Sequence, residues 1–531
     1  MVYVKKIKLH NFKKFMDNEF YFDKGLNVVV GQNDSGKSSI LQAIDISLNQ
    51  RGNGDLRNRN EYGTLLNLER KNDFLNSEKK PYTGLPTIEI NIFFEEMGND
   101  LKSANFYGAI NGNGSADSGV TFKYAFDEQY MLEYEELIAE VDSLEFIPFE
   151  FYSANWQTFG GFPYNFKKNP MKSILINTDN STGDSYKTFT KQLFATLTKQ
   201  NQNNISLSLK QKIEDFNHDV RKNYNLPNRL EIDSNRFVVQ DNLDVVDEDS
   251  NMLLRDMGSG TENIIKTNLA MKAESKLVLL EEPENHLSFD LARKQIGQIS
   301  RLNEENDRQL IVTTHSTLLA SKLSINNLKW LNGEGQMVSF KDISDETAMF
   351  FQKADNIDVL QVILSKRCIL VEGATEYILM EDMVQRVTHD STNSQRIHVV
   401  SMGGNYYKRF KEIVNITKNK VLIVTDNDSS LKRIKESKDS NNEYLHVVMP
   451  TDISKFTFEV ALFEENESYF DDEWTDSANG STWKKHGDLN PKLVWILNNK
   501  TTAAFKYSNE FISGKMVVPR YISEGLKWLV E

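Results

Sequence analysis

Two short stretches place carboxylates where strands should end. In KVLIVTDNDSS (420–430) an apolar run is followed by Asp426 and Asp428. Two residues apart on an extended chain, these face the same way. In CILVEGATEY (368–377) the apolar run ends on Glu372, and a helix starting after Gly373 sets Glu376 in its first turn, close to Glu372. Such carboxylates repel one another unless a cation lies among them. Functional groups collect at the strand C-termini of a parallel sheet. Carboxylate oxygens suit Mg²⁺ or Mn²⁺, and no His/Cys cluster competes for zinc.

A second group of residues is built for phosphate. GQNDSGKSS (31–39) fits G-x-x-x-x-G-K-[ST], with the strand GLNVVVG before it and the apolar helix SSILQAIDISLN after it. Gly31 and Gly36, with Asn33 and Ser39, let backbone N–H groups wrap phosphate oxygens at a helix N-terminus. Lys37 is placed for the β- and γ-phosphates of ATP and Ser38 for Mg²⁺. LVLLEEPENHLS (277–288) ends an apolar strand on two acids: Glu281 near Mg²⁺, Glu282 to orient and activate the attacking water. LIVTTHS puts His315 at a third strand end, where it can sense the γ-phosphate.

These groups need two parallel sheets to position them. A strand followed by a helix recurs at 25–49, after 276–283 and after 308–316, and again from 367 to the C-terminus, which predicts two α/β domains. VYVKKIKLH (2–10), TIEINIFFEE (87–96) and EFIPFEFYSANW (145–156) read as further strands, with GAINGNGSADSG (108–119) as a hairpin tip. Residues 50–84 read as a long polar loop and RFVVQ (236–240) as a strand. Residues 185–225 have helical spacing and little glycine; a surface helix pair and a self-association arm both fit them. The expected boundaries are an ATPase domain over 1–345 with a helical insertion at about 165–230, a linker over 346–366 and a second domain over 367–531.

At 531 residues the chain is too long for one core. Hydrophobic residues at 39% and charged residues at 26% are ordinary for a soluble protein, and no apolar run is long enough to span a membrane. A single cysteine, Cys368, excludes a disulfide scaffold and suits a cytoplasmic home. The net charge of −14 argues against a uniformly basic DNA coat and makes any nucleic-acid contact local and cation-dependent. NYYKRFK (405–411) and SSLKRIKESK (429–438) could meet phosphate, or could be amphipathic helices with solvated lysines.

The first group of motifs resembles the ABC-type ATPases of recombination and repair. KIKLHNFKKF (6–15) is similar to their opening strand, and DMGSGTEN (256–263) to their signature, with Ser259 and Gly260 in place and Thr261 and Glu262 departing from it. The resemblance implies ATP sandwiched between two heads, hence a dimer or larger oligomer, with Asn285 and His286 in the communicating loop. Gln157 is the candidate for the glutamine that couples the two lobes. E-G, then G-G (Gly403, Gly404), then D-x-D on successive strand–helix units resembles a Toprim domain.

An ABC-type head followed by a Toprim domain resembles the OLD (overcoming-lysogenisation-defect) nucleases and is similar to the phage-defence nucleases of the Gabija system. That resemblance implies that FTFEVAL contributes Glu459 and NNKTTAAF contributes Lys500, with Lys506 the alternative register, and that VVPRYISEGL is the C-terminal helix. It implies an ATP-controlled, metal-dependent DNA endonuclease in antiphage defence. Glu372, Asp426, Asp428 and Glu459 would hold two metals, Glu376 would be a further ligand or water-orienter, and Lys500 would offset transition-state charge. Family members act beside a helicase, beside retron elements or alone. The competing reading is a DNA clamp of the repair-ATPase type that does not cut. A primase lacks its cysteine cluster here, and no segment suggests a topoisomerase tyrosine.

Overall fold

The computed structural model describes all residues except 51–58, 99, 141–143, 178–182, 224–230, 235, 248–249, 274, 305–307, 355–356, 471–482 and 509. The chain divides into two compact units, 1–319 with 327–337, and 320–326 with 338–531.

The first unit has two sheets. In one, β1 (Tyr3–Phe12), β2 (Phe15–Tyr21), β4 (Ile88–Glu95), β5 (Tyr107–Gly108), β6 (Asp117–Phe126) and β7 (Tyr152–Thr158) pair antiparallel in the order β2-β1-β4-β6, with β5 and β7 both on β6. The other is parallel: β3 (Leu26–Val30), β8 (Ile174–Asn177), β9 (Leu277–Glu281), β10 (Gln309–Thr314) and β11 (Leu328–Leu331) run in the order β11-β3-β10-β9-β8. The unbroken apolar runs of β3 and β9 are buried along their whole length, as expected of strands covered on both faces.

The helix Lys37–Asn49 is buried at eleven positions, Lys37 and Ser39–Leu48. Ile40, Leu41 and Ile44 share one core with Ile7, Leu9 and Ile90 of the antiparallel sheet and with Leu279 and Ile311 of the parallel one. Each such side chain contributes about 1.5–3 kcal/mol by burial, so the helix is fixed from two sides.

The second unit holds the parallel sheet β14-β13-β15-β16, made of β13 (Arg367–Val371), β14 (Ile397–Ser401), β15 (Lys420–Val424) and β16 (Leu445–Val448). The boundary between units falls in the short strand β12 (Met337–Ser339). Ile369, Val371, Leu422 and Val424 pack in one core with Leu379 and Met383 of the helix Ala374–Thr388, and with Ile522 and Leu526 of the helix Arg520–Val530. The fold is α/β, and the sheet of the second unit is parallel throughout.

Several local expectations change. Outside 51–58, residues 50–84 form the 3₁₀ turns Arg59–Leu65 and Tyr82–Gly84 and the helix Leu68–Leu75, whose first turn Asn67 caps through the Arg70 N–H. RFVVQ gives a 3₁₀ turn, Val239–Asp241, rather than a strand. The 346–366 stretch carries the helices Asp345–Lys353 and Val359–Leu364 outside 355–356, because Phe351, Leu360 and Ile363 find buried places. Within the 165–230 insertion, the helices Gly183–Thr196 and Lys199–Asn223 are described; 178–182 and 224–230 lie outside the described residues.

Candidate functional site

In the first unit the phosphate loop leaves β3 and enters its helix through Gly36, at φ 103°, a left-handed conformation that favours glycine. A Cβ there would lie 2.4 Å from the Phe15 ring. The Lys37 Nζ is folded back onto the loop, donating to the carbonyl oxygens of Gly31 at 3.0 Å and Gln32 at 3.1 Å. Burial pulls its pKa down, and Glu282 and then Glu284 oppose that pull.

A cavity of about 630 Å³ is lined by Asn33, Gly36, Lys37, Ser38 and Ser39, with Glu282 and His315 across from them. The two strand ends β9 and β10 meet there: His315 Nδ1 lies 3.4 Å from Glu282 Oε1, and the Asn285 carboxamide donates to Glu282 Oε2 at 3.0 Å. Glu282 has φ 42°, a strained backbone that turns its carboxylate into the cavity mouth. Glu281 is buried at the end of β9.

Three residues of this site were not singled out from the sequence. Glu284 is hydrogen-bonded by the Thr314 hydroxyl and the His315 N–H, and burial, opposed by the Thr314 bond, raises its pKa. Lys13 and Lys14 line the same cavity, Lys14 donating to the Asp34 carbonyl at 2.7 Å. The basic pair in NFKKF was the available signal.

Ser259 and Gly260 open the helix Ser259–Lys272 and are not among the lining residues of this cavity. A Cβ on Gly260 would lie 2.6 Å from the His286 carbonyl, so the signature turn and the loop after β9 touch. Gln157 sits within β7, paired to Thr121 of β6, and does not line the cavity either.

In the second unit, acids converge from the ends of two strands and the first turns of two helices. Glu372 follows β13, and its Oε2 accepts from the Thr425 hydroxyl and, at 3.1 Å, from the Asp426 N–H. Asp426 follows β15 and accepts from the Phe458 N–H at 2.8 Å. Glu376 is buried in the first turn of the helix Ala374–Thr388, and Glu459 in that of the helix Phe458–Glu465. Lys500 Nζ lies 2.8 Å from Glu459 Oε2.

The electrostatics describe a cluster short of positive charge. Burial, then Glu459, pushes Glu376 up to about 7. Burial, then Glu376, Glu459 and Glu372, raises Asp426 well above the ordinary carboxylate range. Burial works against the charge on Lys500, but Glu459, Asp426 and Glu376 outweigh it and raise its pKa. Tyr521, a half-buried side chain whose buried hydroxyl has no hydrogen-bond partner, is raised by burial and then by Asp426, Glu376 and Glu459. It too was not singled out from the sequence, where VVPRYISEGL is read only as a C-terminal helix. Lys506 lies over the Trp495 ring, 4.9 Å from its centroid, while Lys500 is the lysine on Glu459.

Asp428 does not face the way Asp426 does. The chain leaves the extended conformation after β15: the buried Asn427 carboxamide donates to the carbonyls of Pro450, Asp452 and Lys455, and Asp428 turns at φ 46°. Its exposed carboxylate pairs with the Arg433 guanidinium. Among the described residues no three His, Cys, Asp or Glu side chains are arranged to hold a metal ion. The donor chemistry of Glu372, Glu376, Asp426 and Glu459 nonetheless fits one, since all are hard oxygen donors and two have their ionisation opposed by their neighbours.

Comparisons with known proteins agree with this division. The family described as AAA ATPase domain matches residues 2–320, and that described as Overcoming lysogenization defect protein-like, TOPRIM domain matches 363–428. The DNA double-strand break repair Rad50 ATPase of Thermoplasma volcanium is 47% identical over 45 residues, 8% of this chain and 5% of the relative. That of Archaeoglobus fulgidus is 31% identical over 91 residues, 17% of this chain and 9% of the relative. The chain thus spans less than a tenth of the length of these curated relatives. Among solved structures, the SMC head domain from Thermotoga maritima is 16% identical with a TM-score of 0.28, covering 63% of this chain and 98% of that one. The recombination mediator RecF bound to an ATP analogue is 11% identical with a TM-score of 0.33, covering 64% and 98%. No described helix is long and apolar enough to cross a membrane.

Proposed function

Starting from a chain that belongs to the AAA ATPase domain family over residues 2–320 and joins to it an OLD-like Toprim domain, the architecture of an OLD-family nuclease, we propose that it hydrolyses ATP in its first unit and cuts DNA phosphodiesters in its second. An ATPase domain and a Toprim domain imply use of nucleotide and of a divalent metal. The Toprim metal is Mg²⁺ or Mn²⁺ in this reading, and the role is antiphage defence in the cytoplasm, as the Gabija resemblance implies, alone or beside a helicase or retron components.

The observation that carries the reading is the set of four carboxylates, Glu372, Glu376, Asp426 and Glu459, gathered from four element ends around Lys500. These four would hold the divalent metal, which when bound clamps and neutralises the oxygens of an in-line phosphodiester displacement. Lys500 keeps a positive charge beside Glu459 and offsets the charge that develops on the phosphorus oxygens. Asp428 joins the ligands only by leaving Arg433, so its part is secondary.

In the first unit Lys37 exchanges the Gly31 and Gln32 carbonyls for the β- and γ-phosphates. Ser38 and Glu281 would hold Mg²⁺, Glu282 orients the attacking water, and His315 faces the γ-phosphate. Ser259 and Gly260 stand apart from this cavity, which supports a signature acting on the nucleotide of a second copy, with Asn285 and His286 in the loop between heads.

The test is plasmid cleavage in Mg²⁺ or Mn²⁺. Asp426→Ala is expected to lose cutting by about 10²-fold or more while still hydrolysing ATP, and Lys37→Ala to lose nucleotide binding. Cutting by Asp426→Ala at the parent rate would overturn the nuclease assignment and move the non-cutting clamp ahead.

A further inference from the structure

The first unit contains a second cavity, of about 560 Å³, that the ATPase reading leaves unused. It lies where the insertion meets the core. Asn49, the last residue of the helix Lys37–Asn49, forms part of its wall. A helix of 13 residues is about 20 Å long, so this cavity and the phosphate loop lie at opposite ends of one buried rod.

Its lining is chemically one-sided. Lys167, Lys172, Lys199 and Lys210 border it, and among the described lining residues there is no aspartate or glutamate. Lys172 donates to the Thr196 carbonyl at 3.5 Å and Lys199 to the Gln202 carboxamide oxygen at 3.2 Å, neutral partners that a phosphate could replace. Between the lysines stand the half-buried rings of Phe194 and Phe237 and the exposed ring of Phe166. Asn203 and Gln240 add carboxamides that can both donate and accept.

The floor is rigid. The Asn169 carboxamide and the Ser173 hydroxyl both donate to Asn49 Oδ1, at 3.2 and 3.1 Å, and Asn49 in turn donates to Asp45. The insertion side is closed by Gln202, whose carboxamide lies within 3.2 Å of the Phe194, Ala195 and Leu197 carbonyls. Both walls are thus formed before any ligand arrives, which lowers the ordering cost of binding.

We infer that this cavity binds a nucleoside polyphosphate at a site separate from the phosphate loop. Lysine ammonium groups suit phosphate as point charges. The phenylalanine rings give a planar base an apolar face, and the volume is that of a small-ligand pocket. With no carboxylate among the described lining residues to share a metal, the phosphates are neutralised by lysine alone, so binding here does not require Mg²⁺. The inference does not depend on the nuclease reading of the second unit.

Full-length Lys37→Ala protein, its phosphate loop disabled, titrated with N-methylanthraniloyl-ATP in EDTA should show a single saturable site. Adding Lys167→Glu and Lys199→Glu should weaken that binding about a hundredfold, roughly tenfold for each lysine–phosphate hydrogen bond removed, with an unchanged melting temperature. Should the charge-reversed protein melt early, the neutral pair Lys167→Gln/Lys199→Gln decides, at a smaller expected weakening of about tenfold because each glutamine amide can still donate to phosphate. Absence of saturable binding by Lys37→Ala, or equal affinity in the lysine variants, would overturn the site. Displacement of the probe by a single-stranded oligonucleotide at lower concentration than by ATP would overturn the mononucleotide assignment in favour of a nucleic-acid strand.

Discussion

Replacing Glu376 by glutamine is expected to stabilise the metal-free protein, increasingly so as pH rises. Glu376 is buried among Glu459, Glu372 and Asp426, and its pKa moves from the ordinary 4.5 to about 7, by burial first and Glu459 second. A folded-state pKa above the unfolded one means that the folded protein holds the proton more tightly. Its stabilising contribution is complete below pH 4.5 and is lost as pH rises through about 7. At about 1.4 kcal/mol per pH unit between 4.5 and about 7, that loss amounts to about 3 kcal/mol. Glutamine keeps the shape and removes the ionisation, and an imperfectly bonded amide returns about 1 kcal/mol of cost. The net expectation is a gain of about 2 kcal/mol at pH 8 and a difference near zero or slightly unfavourable at pH 4.5.

Urea unfolding followed by tryptophan fluorescence, in EDTA at both pH values, reads this directly; Trp495 and Trp528 border the core of the second unit. Adding Mg²⁺ or Mn²⁺ at pH 8 should then stabilise the parent more than Glu376→Gln, because a ligand of the folded state raises stability in proportion to its affinity for that state. A variant less stable than the parent by the same amount at both pH values would refute the account of a cation-deficient cluster. So would equal stabilisation of both proteins by metal.

Lys500→Ala should act in the opposite direction. It leaves the buried Glu459 without its cation; with Lys500 partly exposed, the metal-free protein should lose about 2 kcal/mol in the same assay, less than for a wholly buried pair. Glu282→Gln should retain ATP binding by filter assay and slow hydrolysis by about 10²-fold or more, since its carboxylate is the acid facing Lys37 across the cavity. Gly36→Ala should abolish ATP binding in that filter assay and lower the melting temperature, with a cost of about 1–3 kcal/mol from a left-handed backbone and a Cβ 2.4 Å from Phe15.

Much of this protein can be read from its residues because parallel strands buried on both faces leave unbroken apolar runs. Leu26–Val30, Leu277–Glu281 and Lys420–Val424 announce themselves in that way, and whatever follows such a run stands at a sheet end. The phosphate loop is equally legible, since its glycines, lysine and serine are fixed in spacing by one short turn. What a run cannot say is where the chain goes one residue past its end. Asp426 and Asp428 look equivalent in sequence, yet Asn427 inserts into three carbonyls and φ 46° at Asp428 sends the second acid to Arg433. Glu284 and Tyr521 became visible only in the fold, because their neighbours come from Thr314 and His315, and from Asp426, Glu376 and Glu459, all distant in sequence. The lysine-rich cavity at the end of the helix Lys37–Asn49 is likewise assembled from segments between residues 49 and 240, none basic enough to stand out alone. Local pattern determines elements and the residues at their ends; which of those residues share a site depends on turns and long-range packing, whose energies no single stretch of sequence carries.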